Sequence, residues 1–375
     1  MPNRSLLVRL GDRRVVRWTG GVLGLVVLVG LIAAFNQSGG PVDDALVRTH
    51  LGGGPVASAS RSAPAAQPSA SPAESGAAAP GSQVSRSSVV HPDGLLFGIS
   101  TPSGPSADET ADVAAAATRT PAVQEYFVKW DEDFDPGAVD RSYRLGAVPL
   151  LTWEPWAGGD MTADQPKYAL RAIVDGRFDA YLTEFAHAVK ADGRVLVLRF
   201  AHEMNAHWYQ WSETRNGNRP GDYIAAWRYV HDLFREQGAT NVVWFWCPDS
   251  VGAGVDDPAG FYPGHDYVDW IGVDVYSDGD DTAEQSLTPS YRALRAIADK
   301  PFFIGEVGVR PGPGKPGWTK GFFDWLAGHP EVVGFSWFQH DKADRGRADW
   351  RFTTSADDQR AFVTGLLRQR LGGWP

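Results

Sequence analysis

Two glutamates, Glu203 and Glu306, could do acid–base and nucleophilic chemistry in this chain of 375 residues. Glu203 lies in the run RFAHEMNAHWYQW, directly after the apolar stretch VLVLRF, and Glu306 follows a second apolar stretch much later in the chain. Retaining cleavage of a glycosidic bond needs two carboxyl groups about 5–5.5 Å apart, one as proton donor and one as nucleophile. We therefore predict Glu203 as the acid/base and Glu306 as the nucleophile.

Histidines around Glu203 raise the question of a zinc site. The metalloprotease signature spaces its histidines four apart on one helical face. His202 and His207 are five apart and would lie on different faces of a helix. The sequence therefore predicts no metal site and no cofactor, and His202 is interpreted as a polar neighbour of the nucleophile or of a sugar hydroxyl.

Tryptophan is abundant, with 15 residues. Indole rings stack on the flat apolar faces of sugars, although most of these rings must belong to the core. Six of them lie at predicted strand ends, and about half of these are expected to line a cleft: Trp153, Trp156, Trp208, Trp211, Trp246 and Trp337. Glu154, between two tryptophans, is expected to bind or support the substrate, whereas Asp274 is interpreted as a buried, hydrogen-bonded group within a strand.

Strands and helices must position these residues, and their pattern is regular. Apolar, β-branched or aromatic runs predict eight strands: Leu95–Ile99, Glu125–Trp130, Val148–Thr152, Val195–Arg199, Val242–Trp246, Trp270–Val275, Phe302–Ile304 and Val332–Trp337. Amphipathic runs predict helices at Phe178–Ala191, Tyr223–Gln237, Pro289–Asp299, Gly321–Ala327 and Ala356–Leu371, while residues 247–269 show no convincing helix.

This alternation predicts an α/β fold, a (β/α)8 TIM barrel, whose functional residues lie at the carboxyl ends of the strands. The alternative is an open doubly wound sheet, which would normally show a Gly-rich turn after its first strand.

Two segments of different composition precede the predicted barrel. Residues 18–35 are uncharged and mostly apolar, and as a helix at about 1.5 Å per residue they would span roughly 27 Å, which is long enough to cross a membrane. Five arginines against one aspartate precede them. We predict a basic cytoplasmic segment at 1–17, an uncleaved transmembrane signal anchor at 18–35, a disordered linker rich in Ala, Ser, Pro and Gly at 36–91, and an extracellular catalytic domain at 92–375. A cleaved signal peptide, which would release the domain, is the alternative to the anchor.

The charge of the chain restricts its partners. The net charge is −10, and the basic residues before the anchor leave the predicted domain more acidic still. That balance argues against nucleic acid as a partner. Cys247 is the single cysteine and cannot form a disulfide within the chain, so the fold must rely on its core.

Several motifs resemble glycoside hydrolase family 26 over residues 91–371. They are HEMN with Trp208 five positions after Glu203, FYPGHDYVDWIGVDVY at 261–276, IGEVG at 304–308 and SWF at 336–338. The resemblance implies a (β/α)8 fold and retaining hydrolysis of a β-linked polysaccharide, with Glu203 as acid/base and Glu306 as nucleophile. It also implies that four residues surround the sugar at the cleavage point, namely His202, Trp208, Tyr276 and Trp337, and that Tyr276 hydrogen-bonds the nucleophile.

The resemblance leaves several substrates open. The family is best known for endo-β-1,4-mannanases and also includes β-1,3-1,4-glucanases and β-1,3-xylanases. Ala206 stands where mannanases commonly have a glycine after HEMN, and the TWEPW string at 152–156 is more similar to the glucanase branch. We expect an endo-1,4-β-mannanase, with the glucanase and the xylanase as alternatives, and an inactive tethered carbohydrate-binding domain as the alternative from another class.

Overall fold

The computed structural model describes residues 84–160, 163–343 and 348–374. The predicted basic segment, the predicted anchor and most of the predicted linker lie outside these residues. Within the described part of the chain, no helix has the length and apolar character needed to cross a membrane.

Eight parallel strands close into a barrel in sequence order, with β8 hydrogen-bonded to β1. They are β1 Leu96–Ser100, β2 Val123–Lys129, β3 Val148–Glu154, β4 Leu196–Phe200, β5 Val242–Trp246, β6 Trp270–Ser277, β7 Phe302–Val309 and β8 Val332–Phe338. The predicted (β/α)8 barrel is confirmed, and the open sheet is excluded because the strand order closes on itself.

Helices fill most of the connections. They are α1 Arg86–Val90, α2 Ala107–Ala117, α3 Pro136–Arg144, α4 Leu170–Val174, α5 Asp179–Asp192, α6 Asp222–Gln237, α7 Ala283–Ile297, α8 Lys315–Ala327 and α9 Ala356–Leu366. The connection 247–269, predicted to lack a helix, holds two short 3-10 helices, Pro258–Phe261 and His265–Tyr267.

The predicted starts of α7 and α8 were each six residues too late, and the predicted ends of α7 and α9 ran two and five residues past the observed ends Ile297 and Leu366. Helix α7 begins at Ala283 rather than Pro289, because Thr282 and Gln285 form a capping box and the helix continues through Pro289. Helix α8 begins at Lys315 rather than Gly321, and α9 ends at Leu366 rather than Leu371.

Side chains alternate between the two faces of each strand, and this alternation separates the lumen of the barrel from the layer under the helices. In β3, Thr152 hydrogen-bonds Glu125 and Arg199 inside the lumen. The next side chain, Trp153, lies on the other face, where its ring centroid is 4.4 Å from that of Phe185 in α5. The apolar core lies between the strands and the helices, and polar groups are concentrated in the lumen.

Helix α1 belongs to the barrel domain, although the sequence predicted linker at these positions. Val89 is fully buried in the core, and Arg86 Nε donates to the carbonyl of Val242 at 2.8 Å. Trp270 Nε1 donates to the carbonyl of Val90 at 3.1 Å, so α1 packs at the amino ends of β5 and β6. The predicted domain start at residue 92 is therefore too late, because a single buried turn of helix was too short to recognise as periodic.

Deleting α1 is expected to destabilise the barrel. Residues 92–375 lack Val89 and Val90, and losing the burial of two valines costs about 3 kcal/mol of the free energy of unfolding. Urea denaturation of residues 84–375 and 92–375 measures the difference, with Ser87→Ala on the exposed side of α1 as the control. Equal free energies of unfolding would contradict the assignment of α1 to the domain.

Candidate active site

The loop after β4 carries the first candidate carboxyl group on a strained backbone. Ala201 and Glu203 both have positive φ, at 46° and 51°, which is uncommon for residues other than glycine. Two backbone hydrogen bonds hold the loop: Ala201 N donates to the Trp153 carbonyl at 3.0 Å, and Glu203 N to the Cys247 carbonyl at 2.9 Å. The loop is thus fixed between the carboxyl ends of β3 and β5, and such strain is often kept at functional sites.

The carboxyl group of Glu203 is in an environment that favours its protonated form. Its side chain is almost completely buried, and the indole Nε1 of Trp208 donates to Oε2 at 3.0 Å. Burial raises the pKa of Glu203 well above its usual value, and the nearby carboxylates of Asp249, Asp274 and Glu306 raise it further. A carboxyl group that keeps its proton near neutral pH can act as a general acid.

The second candidate carboxylate, Glu306, accepts two short hydrogen bonds in β7. Arg199 Nη2 donates to Oε1 and the Tyr276 hydroxyl donates to Oε2, both at 2.5 Å. His202 Nε2 lies 4.0 Å from Oε1. The hydrogen bond from Tyr276 is the contact that the family resemblance implied.

A β-bulge turns Glu306 into the lumen. Val273 pairs with Ile304 and Asp274 pairs with Glu306, so Gly305 is an extra residue in β7. If Gly305 instead paired with Asp274 in normal alternation, Glu306 would pair with Val275 and face the helices. A Cβ at position 305 would lie 2.4 Å from Asp274 Oδ1 and 2.7 Å from Cys247 Sγ, which explains why this position holds a glycine.

Glu306 therefore lies within a strand and does not follow one. The sequence predicted that strand seven ends at Ile304, whereas β7 runs to Val309. The two glycines of IGEVG interrupt the apolar run, so the sequence favoured a loop in the carboxyl half of this strand.

Arg199 is central to the site and was not recognised from the sequence. It is fully buried in the lumen, where Nη1 donates to both oxygens of Asp274 at 2.8 Å and Nε donates to Thr152 at 2.9 Å. Nη2 donates to Glu125 Oε1 at 2.5 Å, in addition to Glu306. The available signal was an arginine inside the otherwise apolar strand VLVLRF, since an isolated buried charge requires partners.

Two carboxyl groups bound to Arg199 have raised pKa values. Burial raises the pKa of Asp274 well above its usual value, although Arg199 opposes this. Burial also raises the pKa of Glu125 to about 7, again against the opposing effect of Arg199. Asp274 is a buried, hydrogen-bonded group as predicted, and Glu125 is a lumen residue that the sequence analysis missed.

Three of the described residues, His202, Asp274 and Glu306, could in geometric terms hold a metal ion. Each offers one ligand atom within 4.8 Å of the others. Arg199 nevertheless donates to carboxylate oxygens of both Asp274 and Glu306, so these two carboxylates already have a cationic partner. A metal ion would have to compete with this guanidinium for both carboxylates, and the proposed chemistry uses Arg199 rather than a metal.

Some predicted sugar-binding residues lie together at the carboxyl end of the barrel. Trp208 is 40% exposed next to Glu203, a suitable platform for a sugar ring. Trp156 Nε1 donates to Glu154 Oε2 at 3.1 Å, which links these two residues beyond β3. Trp211 is buried and supports the loop of the site: its Nε1 donates to the His202 carbonyl, and its ring stacks on Tyr209.

Three predicted sugar contacts are corrected by the structure: Trp153, Trp246 and Trp337. Each ring is fully buried on the helix side of the barrel. Trp153 packs against α5, Trp246 packs against Tyr262, and Trp337 packs against Phe362 of α9. The prediction used only the position of each tryptophan along its strand. Because side chains alternate between the two faces, the residue next to each tryptophan faces the lumen and the tryptophan itself does not.

A tryptophan from outside the strands, Trp350, packs beside Tyr276. Its ring centroid is 4.7 Å from that of Tyr276, and Gly308 permits this approach because a Cβ there would be 3.2 Å from both rings. Trp337 Nε1 donates to the carbonyl of Trp350 at 3.0 Å, and Lys315 Nζ donates to that of Arg351 at 2.8 Å. Trp350 was missed because it lies in the segment after β8, away from any strand end.

A closed (β/α)8 barrel with two buried carboxyl groups and an exposed indole at its carboxyl end has the architecture of a barrel glycosidase. The model of glycosyl hydrolase family 26 matches residues 123–312. The chain belongs to this family.

Curated relatives carry three different activities in their names. Endoglucanase H of Acetivibrio thermocellus is 32% identical over 287 residues, which is 72% of this chain and 30% of that protein. A mannan endo-1,4-beta-mannosidase of Bacillus subtilis (strain 168) is 29% identical and covers 41% of this chain and 43% of its own length. Beta-1,3-xylanase TXYA of a Vibrio species is 26% identical, and the match covers 58% of this chain and 45% of that protein. The chain thus spans less than half the length of each of these relatives.

Solved structures share the fold at low sequence identity. A Cellulomonas fimi endo-beta-1,4-mannanase double mutant has a TM-score of 0.57 at 21% identity, with 76% of each chain covered. The catalytic domain of the GH26 endo-beta-1,4-mannanase of Bacillus sp. JAMB-750 has a TM-score of 0.59 at 18% identity, with 75% of this chain and 88% of that chain covered.

Proposed function

We propose that the protein is a retaining endo-β-glycosidase in which Glu203 is the acid/base and Glu306 the nucleophile. The observation that carries this proposal is the contrast between the two carboxyl groups. Glu203 is buried with a raised pKa, whereas Glu306 accepts hydrogen bonds from Arg199 and Tyr276. Two carboxyl groups in different environments can divide the roles of acid and nucleophile.

The proposed reaction has two steps. In the first, Glu203 gives its proton to the leaving glycosidic oxygen while a Glu306 oxygen attacks the anomeric carbon to form a glycosyl ester. In the second, Glu203 takes a proton from water, and that water releases the sugar from Glu306. Arg199 and Tyr276 orient the attacking carboxylate, and Trp208 offers a surface on which a sugar ring can stack.

The first substrate that we propose is β-1,4-mannan, in keeping with the mannosidases among the relatives. The second is β-glucan, which two observations favour. The match to endoglucanase H covers a larger share of this chain than the mannosidase match does. The TWEPW string at 152–156 is also more similar to the glucanase branch of the family.

Hydrolysis assays on residues 84–375 test the function and choose between these substrates. Mannan, mixed-linkage β-glucan and β-1,3-xylan are compared by release of reducing ends, and proton NMR follows the anomer of the first product. We expect internal cleavage and a product of β configuration. A first product of α configuration would contradict a nucleophilic Glu306, and a folded protein that binds these glycans without cleaving them would favour the inactive binding domain.

We further propose that residues 18–35 tether the domain to the cell membrane with the barrel outside. The support is their apolar composition and the arginines that precede them. Fractionation of cells that express the whole chain, compared with a chain lacking residues 18–35, tests this. Recovery of the whole chain in the soluble fraction would contradict the tether.

A further inference from the structure

The lumen holds more acidic groups than the described basic groups can neutralise. Glu125 of β2, Asp274 of β6 and Glu306 of β7 all bond to Arg199 of β4, and all are buried. Three ionised carboxylates against one guanidinium would leave an excess of negative charge in a site shielded from water. Such an excess is costly, so a carboxyl group in this cluster is expected to keep its proton.

Glu125 is well placed to keep that proton. It is fully buried, and its Oε1 accepts from Arg199 and from Thr152 Oγ1 at 3.1 Å. Its Oε2 lies 2.7 Å from Ser336 Oγ, which donates to the ionised carboxylate and can rotate to accept from the protonated carboxyl group. Burial is the largest cause of its raised pKa of about 7, and Glu306 adds to the effect.

The ionisable groups around Glu125 come from four strands or strand ends. They are Arg199 of β4, Cys247 after β5, Asp274 of β6 and Glu306 of β7. Strands β3 and β8 contribute the hydroxyl groups of Thr152 and Ser336. Strand β1, LFGIS, has no ionisable side chain.

A single nitrogen connects Glu125 to the proposed nucleophile. Arg199 Nη2 donates to Glu125 Oε1 and to Glu306 Oε1, each at 2.5 Å. We propose that Glu125 is a positioning residue: its protonated form leaves the charge of Arg199 to Glu306, and its ionised form shares that charge with Glu306. This inference rests on the proposed role of Glu306.

The expected consequence is a loss of nucleophile positioning as the pH rises through the pKa of Glu125. Below about pH 7, Glu125 is neutral and Arg199 holds Glu306 firmly. Above it, two carboxylates share Nη2, and the attack on the anomeric carbon slows.

The test uses 2,4-dinitrophenyl β-glycosides of mannobiose and cellobiose. Their leaving group needs no proton, so ionisation of Glu203 does not limit the first step. For the wild-type protein, kcat/KM is expected to fall above pH 7, by at most about tenfold per pH unit, which is the limit for the loss of one proton. Glu125→Gln, whose amide can keep the bonds to Arg199 and Ser336 without ionising, is expected to change less than about twofold between pH 6 and pH 8.5. Glu184→Gln, on the exposed face of α5, is the matched control and should keep the wild-type profile.

A second variant, Ser336→Ala, keeps the carboxyl group but removes a hydrogen bond that lowers the pKa of Glu125. The fall of kcat/KM should then occur at a higher pH than in the wild-type protein. If Glu125→Gln or Ser336→Ala shows an unchanged fall at the same pH, the inference is overturned.

Thermal unfolding tests the proton on Glu125 without any assay of activity. Its folded pKa is raised from 4.5 to about 7, so its stabilising effect is complete below pH 4.5 and is lost as the pH rises to 7. The fall in Tm across this range should be smaller in Glu125→Gln than in the wild-type protein. An equal fall in both would overturn the inference even if the protein hydrolyses glycans. Absence of hydrolysis with a smaller fall would support the proton on Glu125 but refute the proposed function, and with it the positioning of a nucleophile.

Discussion

Glu203→Ala is expected to lower kcat on a polysaccharide by about 10²–10⁴-fold, because the leaving oxygen loses its proton donor. Glu306→Ala should lower it at least as far, since no carboxylate remains to form the glycosyl ester. The two variants should differ with a dinitrophenyl β-glycoside. Glu203→Ala should still form the ester with this substrate and then release it slowly, giving a burst of dinitrophenol, whereas Glu306→Ala should give no burst.

Azide separates the two roles by stereochemistry. In Glu203→Ala, azide can replace the water of the second step and attack the ester on Glu306, so the product should be a β-glycosyl azide. In Glu306→Ala, azide can occupy the space of the missing carboxylate and attack directly, so the product should be an α-glycosyl azide. NMR of the products measures this, with Glu184→Ala on α5 as the folding control. Exchanged anomers would show that the two roles are reversed.

Arg199→Met is expected to destabilise the protein by about 3–5 kcal/mol near neutral pH. Methionine fills a similar volume, but it leaves Glu125, Asp274 and Glu306 buried without their shared cation. Urea denaturation measures the effect, and Arg171→Met, at an exposed ion pair with Asp175 in α4, should change the free energy of unfolding by less than about 1 kcal/mol.

The destabilisation should grow with pH. Arg199 lowers the pKa values of Asp274 and Glu125, so its removal raises both folded values further above the unfolded ones. The protonated carboxyl groups then stabilise the fold at low pH, and this contribution is lost as the pH rises through the folded pKa values. Arg199→Met should therefore be less destabilising at pH 5 than at pH 8, and adding Asp274→Asn should recover part of the loss. An equal loss at both pH values would contradict the charge argument.

The strand pattern could be predicted from the sequence because most strands are short runs of mainly apolar residues bounded by polar ones. All eight predicted strands overlap the observed ones, and β5 matches at both ends. The missed features depend on weaker local signals. The capping box of Thr282 and Gln285 was present in the sequence but unused, whereas α1 is too short to show a period.

Position along a strand alone does not predict whether an aromatic side chain lines the cleft. Trp153 and Trp337 lie near strand ends as predicted, but they pack under α5 and α9 because the faces of a strand alternate. That alternation could have been used: Glu154 and Phe338, one position further along, lie on the opposite face. Trp350 had no such signal, since only the return of its segment over β7 brings it to Tyr276.

The sequence by itself determined the barrel and the two glutamates proposed for catalysis, because the order of apolar runs sets the strand order and the carboxyl ends of parallel strands meet at one end. The tertiary structure decided that the side chain of Glu306 faces the lumen and that Arg199 contacts three carboxyl groups. The bulge at Gly305 exists only in the pairing of β7 with its neighbours, and Glu125, Asp274 and Glu306 come from three different strands. Closure of the barrel brings these distant carboxylates to one guanidinium. No local stretch of the chain contains both the arginine and its three partners, so their electrostatic interaction could not be predicted from the sequence.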